Sequence, residues 1–465
     1  MKDLISPLFW GILMDTDLVR TLMKYYIKTF GCQMNHSDSE RIAGFLEKNK
    51  YKPSSDINGA DLVIFNTCGV RQMAEDRVYG YIHNIKKQET RNKKQTKIIL
   101  TGCLSNRPDV QKRLKNKVDL FFPINNFETF ENFVIKNSFK IKNLKLKISA
   151  QKNISNKESI TYLSNGPKYT NNFQAFVPIM TGCNNFCAYC VVPYARGREV
   201  SRPAEEIISE VKDLVQKGYK QITLLGQNVN SYNDGKINFS RLLKKVDAIP
   251  GKFWIQFVSN HPKDVTPEMI ETVAQCKKVC ENFHLPIQAG DDNIIRRMNR
   301  KYTAREYMRI ISKIRSAFRK YKPGVLYSIT SDIIVGFPGE TRKQFLKSAE
   351  IMEKAKYDMV FFGQYSPRPG TAAWNMKDNV SKAEKERREK FLNEILKKTA
   401  YTNNKKYLNT IQEILIEKEK GEFYFGKTRT QKNIKIPATN KDLIGKFVKA
   451  KITKANAWNL EGGIK

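Results

Sequence analysis

The sequence holds no uninterrupted apolar stretch near the roughly 18–20 residues that a membrane-spanning helix needs, which argues against a membrane protein. Leu4 to Met14 comes closest to a secretory signal core, but Asp3 and Asp15 flank it and no small-residue cleavage site follows. Cysteine is scarce as well. Eight in 465 residues are too few for a disulfide scaffold, and six stand in metal-like contexts, so a reducing, cytoplasmic compartment is expected. The four histidines, His36, His83, His261 and His284, do not fall at the spacing of a metal set, and only His261 and His284 sit at strand ends where they could line a pocket. Acidic side chains are also in short supply: 46 Asp and Glu face 82 Lys and Arg, a formal net charge of +36. A surface that basic favours a polyanionic partner through counterion release, and nucleic acid is the natural candidate. Part of the excess is compositional, because the chain is rich in Lys, Asn and Ile throughout, as an AT-biased coding sequence would make it.

What is present is organised around Met180-Thr-Gly-Cys183-Asn-Asn-Phe-Cys187-Ala-Tyr-Cys190, with its cysteines at C-x3-C-x2-C. Thiolate is the preferred ligand of iron-sulfur clusters, and three thiolates so close together can wrap one face of a cuboidal 4Fe-4S cluster while leaving one iron open. A structural zinc site would be closed by a fourth Cys or His nearby, and neither follows Cys190 before His261. An open iron implies chemistry.

The length predicts two to four domains. Residues 23 to about 135 repeat one pattern three times: a short strand, a cysteine at its end, then a helix-like segment. The strands are Tyr25–Thr29, Leu62–Asn66 and Lys97–Thr101, followed by Cys32, Cys68 and Cys103. Alternation of this kind predicts a parallel sheet, whose loops after the carboxyl ends gather along one edge and can bring distant cysteines together. Each cysteine adjoins a glycine, which lets backbone approach a bulky ligand, so a second cluster is expected; three cysteines that merely end three strands are the alternative. Residues 136 to about 168 are polar and weakly periodic, as a linker would be.

From Phe173 six strand-helix units predict an open, partial (βα)6 barrel, with strands at Phe173–Met180, Gln221–Leu225, Trp254–Ser259, Asn282–Gln288, Tyr327–Val335 and Met359–Tyr365. Their carboxyl ends carry Gly226-Gln227-Asn-Val-Asn230, Ser259-Asn-His261, Pro286-Ile-Gln288, Gly336-Phe-Pro-Gly-Glu340 and Tyr365-Ser-Pro-Arg368, which together outline a ligand cavity. Cys276 and Cys280, one helical turn apart, are expected to be helix residues without a metal. Ser381-x-x-Glu384 opens a charged helix to about residue 400 with Phe391, Leu392, Ile395 and Leu396 as its apolar stripe. Five short, lysine-laced strands then predict a small RNA-binding β-barrel.

The cysteine loop at Cys183, Cys187 and Cys190 resembles that of the radical S-adenosylmethionine (SAM) superfamily. Phe30-Gly-Cys32-Gln-Met-Asn35, Asn66-Thr-Cys68-Gly-Val-Arg71 and Thr101-Gly-Cys103-Leu resemble the N-terminal domain of its methylthiotransferase family, and the last strands resemble a TRAM domain. The resemblance spans roughly residues 23–465 and implies four segments: an extension at 1–22, a methylthiotransferase N-terminal domain at 23–140, a radical SAM core at 169–401 and a TRAM domain at 404–465. It also implies an α/β fold with two 4Fe-4S clusters. One, on Cys183, Cys187 and Cys190, would chelate SAM at its open iron and cleave it reductively to a 5′-deoxyadenosyl radical. The other, on Cys32, Cys68 and Cys103, would be linked to sulfur delivery, and a second SAM would supply the methyl group. Gly226, Gln227, Gln288 and Gly336 are the expected SAM-binding positions, and Arg196, Arg198 and Arg368 are candidates for phosphate or SAM-carboxylate contacts.

Within the family, the stretches Lys28 to Asn35, Cys190 to Gly197, Leu225 to Asn230, His284 to Gln288 and Tyr365 to Thr371 are most similar to the branch that acts on tRNA. That branch adds a methylthio group at C2 of N6-dimethylallyladenosine, just 3′ of the anticodon. Sibling branches that modify threonylcarbamoyladenosine in tRNA or a ribosomal-protein aspartate are alternatives, as is a non-catalytic iron-sulfur RNA-binding protein. The loop Ala289-Gly-Asp-Asp292 departs from the Ser-Gly-Ser of relatives but removes no cluster ligand. The implied partners are the tRNA and an electron donor such as flavodoxin or ferredoxin, with no membrane, and a monomer is expected. Met23 reads as a natural chain start.

Overall fold

The computed structural model describes residues 23–69, 72–92, 95–138, 162–439 and 441–465. The expected extension at 1–22 and most of the expected linker lie outside the described residues, as do Val70 and Arg71 of the Cys68 motif.

The first sheet has five strands, all parallel: β1 (Lys24–Thr29), β2 (Lys52–Pro53), β3 (Leu62–Thr67), β4 (Lys97–Gly102) and β5 (Leu120–Phe121), in the order β2-β1-β3-β4-β5. Every residue of β3 is buried, as expected of a central parallel strand covered on both faces. Register then decides where the cysteines fall. Thr67 of β3 pairs with Gly102 of β4, so Cys68 and Cys103 leave the sheet side by side, and Thr29 of β1 pairs with Asn66, which brings Cys32 to the same edge.

The central domain has β6 (Gln174–Pro178), a short antiparallel pair β7 (Met180–Thr181) and β8 (Val200–Ser201), then β9 (Gln221–Leu225) and β10 (Trp254–Phe257). It continues with β11 (Asn282–His284), β12 (Ser328–Val335) and β13 (Met359–Gln364). Two parallel three-stranded sheets, β10-β9-β6 and β11-β12-β13, are linked by the parallel bridge Ile255–Val279, which yields the expected open barrel of six strands. Four strands end earlier than their sequence suggests: β6 at Pro178, β10 at Phe257, β11 at His284 and β13 at Gln364. At Gly182 (φ +76°) the chain turns into the cysteine loop; a Cβ there would lie 2.0 Å from the Arg198 carbonyl oxygen, so only glycine fits. β11 stops at His284 because Pro286 has no N–H for the ladder, and Gln288 rejoins the sheet as an isolated bridge to Ile333.

Two other expectations need correction. The helix Pro267–Gln275 ends before Cys276, which caps it, so Cys276 and Cys280 are buried packing residues but not helix residues. In the helix Lys382–Lys405 Leu392 and Leu396 are buried, whereas Phe391 is 47% exposed, so the apolar stripe is narrower than its spacing implies. The C-terminal strands β14 (Ile411–Lys420), β15 (Phe423–Thr428), β16 (Asn433–Pro437), β17 (Phe447–Ala455) and β18 (Leu460–Ile464) close a barrel in the order β14-β15-β16-β18-β17. Tyr424 fills its core, while Trp458 is exposed and Lys435 lies 3.5 Å over the half-buried Phe423 ring. Among the described residues no helix is long and apolar enough to cross a membrane.

The first sheet is joined to the core through the helix Gln33–Lys48, where Asn35, Ser37, Asp38, Ser39, Glu40 and Arg41 are all buried. Charged groups are rarely buried unless paired, and these have partners in or beside the core. Arg41 donates to the carbonyls of Leu163 (2.6 Å) and Asn165 (2.8 Å) and to Glu210 (2.9 Å), which also accepts from Tyr169 and Arg202. Glu40 accepts from the backbone N–H and hydroxyl of Thr170. The C-terminal barrel is tied to the core by Glu281, which accepts from Lys322 and Arg429, by the Lys432–Asp358 ion pair, and by the Trp254 indole N–H donating to Glu413. Replacing Arg41 with methionine leaves two carbonyls unpaired. It is expected to cost about 3 kcal/mol, read as a lower urea midpoint for loss of the N-terminal domain's contact with the core.

Candidate active site

The loop after β7 carries three cysteines, and its shape is set by contacts with the segment 298–300. Ala188 N–H donates to the Met298 carbonyl (2.9 Å), and the Asn299 amide donates to the Phe186 carbonyl (2.8 Å). Phe186 takes a left-handed φ of +46°, which costs energy for a non-glycine residue and is typical of loops shaped for a ligand. Arg300, buried in the core, donates to the Pro286 carbonyl (2.7 Å) and the Tyr302 hydroxyl (2.8 Å), and its Nη1 lies 3.6 Å from the Cys187 sulfur. Burial pushes the Cys190 thiol up to about 12, with Cys187, Cys183 and Cys103 adding to the shift.

Cys103 belongs to the other trio. Its own thiol is pushed up by burial and by Cys68 and Cys32, and eased down by Arg196. The cysteines of the first sheet therefore share one edge, and that edge faces the loop of Cys190. Glycine makes the close approach possible: a Cβ on Gly69 would lie 3.0 Å from the Cys103 Cβ, and one on Gly31, at φ +140°, the same distance from the Cys68 Cβ.

Both trios suit clusters better than single ions. Among the described residues no three His, Cys, Asp or Glu side chains converge on one metal position. Each thiolate of a cubane binds a different iron, so its cysteines need not meet at a point. The thiols of Cys103, Cys183 and Cys190, which burial makes reluctant to ionise, become thiolates when a metal supplies the compensating charge, which is what cluster assembly provides.

The strand ends of the core line the space beside the Cys183 loop with buried polar atoms that have no partner: the side-chain oxygens of Gln227, Asn228 and Asn260 and Nε2 of His261. The other polar atoms of Asn228, Asn260 and His261 are engaged. Asn228 donates to Asp264, Asn260 to the His284 carbonyl, and His261 Nδ1 accepts from the Lys263 N–H, which leaves a proton on Nε2. Buried polar atoms are nearly always satisfied, so four orphans on one rim mark a cradle for a polar ligand. Burial, then Arg300 and Lys263, lower the His261 pKa to about 2, so its ring is neutral at any working pH.

The remaining expected positions fall as follows. Gly226 sits under Met180, whose Cγ would be 2.5 Å from an added Cβ. Gln288 is buried with φ +71°, a strained conformation between β11 and β12. Gly336, also at φ +71°, turns beneath Lys385, whose Cγ would meet a Cβ at 2.4 Å, and its N–H donates to Glu340, itself paired with Arg388. The three arginines differ. Arg198 is exposed and stacks over Phe186 (4.5 Å), but Arg368 is buried and donates to Gln72 (2.9 Å). Arg196 is only 3% exposed and donates to Asn35 (3.1 Å) and Asp38 (2.5 Å) across the domain boundary, so it is no surface phosphate contact. Sequence reasoning missed Arg300 and Asp38, whereas Asn260 lies in the expected Ser259-Asn-His261 strand end. Arg300 stands among Arg296, Arg297 and Lys301, and nothing in the order of residues distinguishes the buried one.

Comparisons with known proteins agree with this geometry. Residues 177–352 match the Radical SAM superfamily, residues 24–123 an uncharacterized protein family, UPF0004, and residues 405–465 the TRAM domain. A tRNA-2-methylthio-N(6)-dimethylallyladenosine synthase of Clostridium botulinum (strain Langeland) is 40% identical over 460 residues, covering 97% of this chain and 99% of that protein. One from Thermoanaerobacter pseudethanolicus is 41% identical, covering 94% and 92%. Among solved structures, the radical SAM methyltransferase TsrM of Kitasatospora setae, with cobalamin and a 4Fe-4S cluster bound, superposes with a TM-score of 0.52 at 12% identity, covering 76% of this chain and 74% of that one. At that identity the likeness is one of fold.

A histidine whose pKa is lower folded than unfolded contributes stability above the unfolded value, near 6.5, and loses it as pH falls. Between pH 7 and pH 5 His261 is expected to account for about 2 kcal/mol of lost stability. His261→Gln should remove that component, read from urea midpoints at the two pH values.

Proposed function

We infer, for a chain that belongs to the tRNA-2-methylthio-N6-dimethylallyladenosine synthases of the radical SAM methylthiotransferase family, that the space between its two cysteine trios is where the modified adenosine is methylthiolated. The chain is an enzyme that converts N6-dimethylallyladenosine in tRNA to its 2-methylthio derivative, with SAM and two 4Fe-4S clusters as cofactors. The observation that carries the reading is the juxtaposition of the trios: Arg196, six residues after Cys190, is hydrogen-bonded to Asn35, three residues after Cys32.

The C2–H bond of the substrate is an unactivated aromatic bond that acid-base side chains cannot break, and a 4Fe-4S cluster together with SAM would supply the one-electron chemistry that can. Cys183, Cys187 and Cys190 would hold that cluster, and Arg300 orients the loop through Cys187 and Pro286. The orphan oxygens of Gln227, Asn228 and Asn260 suit the amino and hydroxyl donors of SAM, and the neutral His261 ring offers a proton donor without adding charge. Gly226, Gln288 and Gly336 shape the same wall. Cys32, Cys68 and Cys103 would hold the second cluster, whose chemistry would be that of sulfur supply.

The adenosine lies in an anticodon loop, where extruding a base costs only about a few kcal/mol. Phosphate contacts position the tRNA and carry no sequence information, a role suited to the net charge and to the lysine-lined barrel of residues 404–465. The division into residues 23–140, 169–401 and 404–465 follows from this assignment, with 1–22 as an extension. A small acidic one-electron carrier of the flavodoxin or ferredoxin kind is the proposed reductant, acting on a monomer in the cytoplasm.

The test separates the two trios. Anaerobically reconstituted protein is expected to bind about eight irons per chain. Cys68→Ala should still release 5′-deoxyadenosine from SAM but form no 2-methylthio nucleoside, whereas Cys187→Ala should do neither, both read by mass spectrometry of the reaction with tRNA. Product formation by Cys68→Ala would sink the assignment.

A further inference from the structure

The mechanism as described leaves Arg196 with no task, although it is among the most costly side chains to bury. It ends the short helix Val192–Arg196 that begins two residues after Cys190, and it reaches across to the helix that starts after Cys32. One guanidinium nitrogen, Nη2, is held twice, by the Asn35 side-chain oxygen (3.1 Å) and by the Asp38 carboxylate (2.5 Å). The other, Nη1, is buried and has no acceptor. Its partners are themselves fixed. The Asn35 oxygen also accepts from the Cys32 thiol (3.6 Å), the Asn35 amide donates to the Phe30 carbonyl (3.1 Å), and Asn66, two residues before Cys68, donates to the Asn35 carbonyl (2.7 Å). Tyr162 closes the far side by donating to Asp38 (3.3 Å).

A guanidinium carrying a spare N–H in so dry a place calls for an acceptor that the protein itself does not provide. A polyanion from solution cannot reach it. The acceptors that would stand beside Arg196 are the sulfurs of a cluster held by Cys32, Cys68 and Cys103, and hydrogen bonds and positive charge near such sulfurs raise a cluster's reduction potential.

We propose that Arg196 is a positioning residue for the cluster of the N-terminal domain: it ties the two cysteine loops together through Asn35 and Asp38 and offers its free N–H to that cluster, favouring the reduced state. The proposal rests on the two-cluster reading above. Arg196 thus sets both how far apart the two clusters stand and how readily the second one accepts an electron. Lysine could keep the charge and, through its one nitrogen, the bonds to Asn35 and Asp38, but it has no second nitrogen to carry the free N–H.

The experiment uses full-length, anaerobically reconstituted protein in which Cys183, Cys187 and Cys190 are replaced by alanine, so that one cluster remains. Redox titration with electron paramagnetic resonance detection then compares Arg196 with Arg196→Lys, Arg196→Gln and the double variant Arg196→Gln/Asp38→Asn, which leaves no unpaired buried carboxylate. Both glutamine variants are expected to retain iron, and at the parent's midpoint potential their oxidised-to-reduced ratio should rise at least tenfold, a downward shift of about 59 mV for a one-electron couple. Arg196→Lys should shift less than half as far. A ratio within twofold of the parent in both glutamine variants would overturn the proposal. So would equal loss of iron from both clusters when the same variants are made in protein with all six cysteines, which would reduce Arg196 to a residue that holds the fold. Absence of iron from the parent itself would instead strike the reading of Cys32, Cys68 and Cys103 as ligands, and the proposal would fall with it.

Discussion

Two parallel sheets have to present their carboxyl edges to one shared space, and the polar helix Gln33–Lys48 is what enforces that arrangement. Its buried face consists largely of groups that cannot be buried alone. Arg41 needs Glu210 and two carbonyls, Glu40 needs Thr170, and Asp38 needs Arg196. An apolar interface tolerates sliding, because dispersion contacts are non-directional. A buried ion pair tolerates little, since displacement leaves a charge unpaired in a low dielectric. The geometry of the space between the cysteine trios is thus held by directional bonds, and the stability of the domain contact and the placement of the cysteines share the same residues.

The two edges divide the chemistry between them. The core edge is lined with amide oxygens and a neutral histidine that lack partners in the protein, the signature of a rim built for a polar ligand. The edge of the first sheet carries thiols and close-packed glycines, the signature of a rim built for a bulky soft one. Each trio also has its own buried arginine: Arg300 beside Cys187, and Arg196 beside Cys103 and Cys32. Positive charge there offsets the thiolates that a cluster needs, in a site where water cannot.

The C-terminal barrel contributes differently. It is fastened to the core by Glu281, Asp358 and Glu413, far along the chain from either cysteine trio, and most of its lysines, Lys432 apart, lie on the surface. Holding a long polyanion and modifying one base of it are separable tasks. Charge at a distance serves the first, and a dry, shaped space the second.

Strand and helix alternation, the turn residues and the spacing of the six cysteines were legible in the sequence, because they are local. Period, caps and short-range motifs depend on neighbours a few residues away. So were the five strands of the last barrel and the six of the core, apart from their ends, as at Pro286, which stops its ladder sooner than hydropathy suggests. The tertiary structure alone decided which polar residues are buried. Arg196 and Arg198 are two positions apart and indistinguishable by composition, yet one is sealed between domains and the other stacks in the open on Phe186. Asp38 and Arg196 are far apart in the sequence, and no pattern within either segment announces the other. Their pairing exists only once both sheets have formed and docked, because a charge is buried only where folding has already placed its counter-charge.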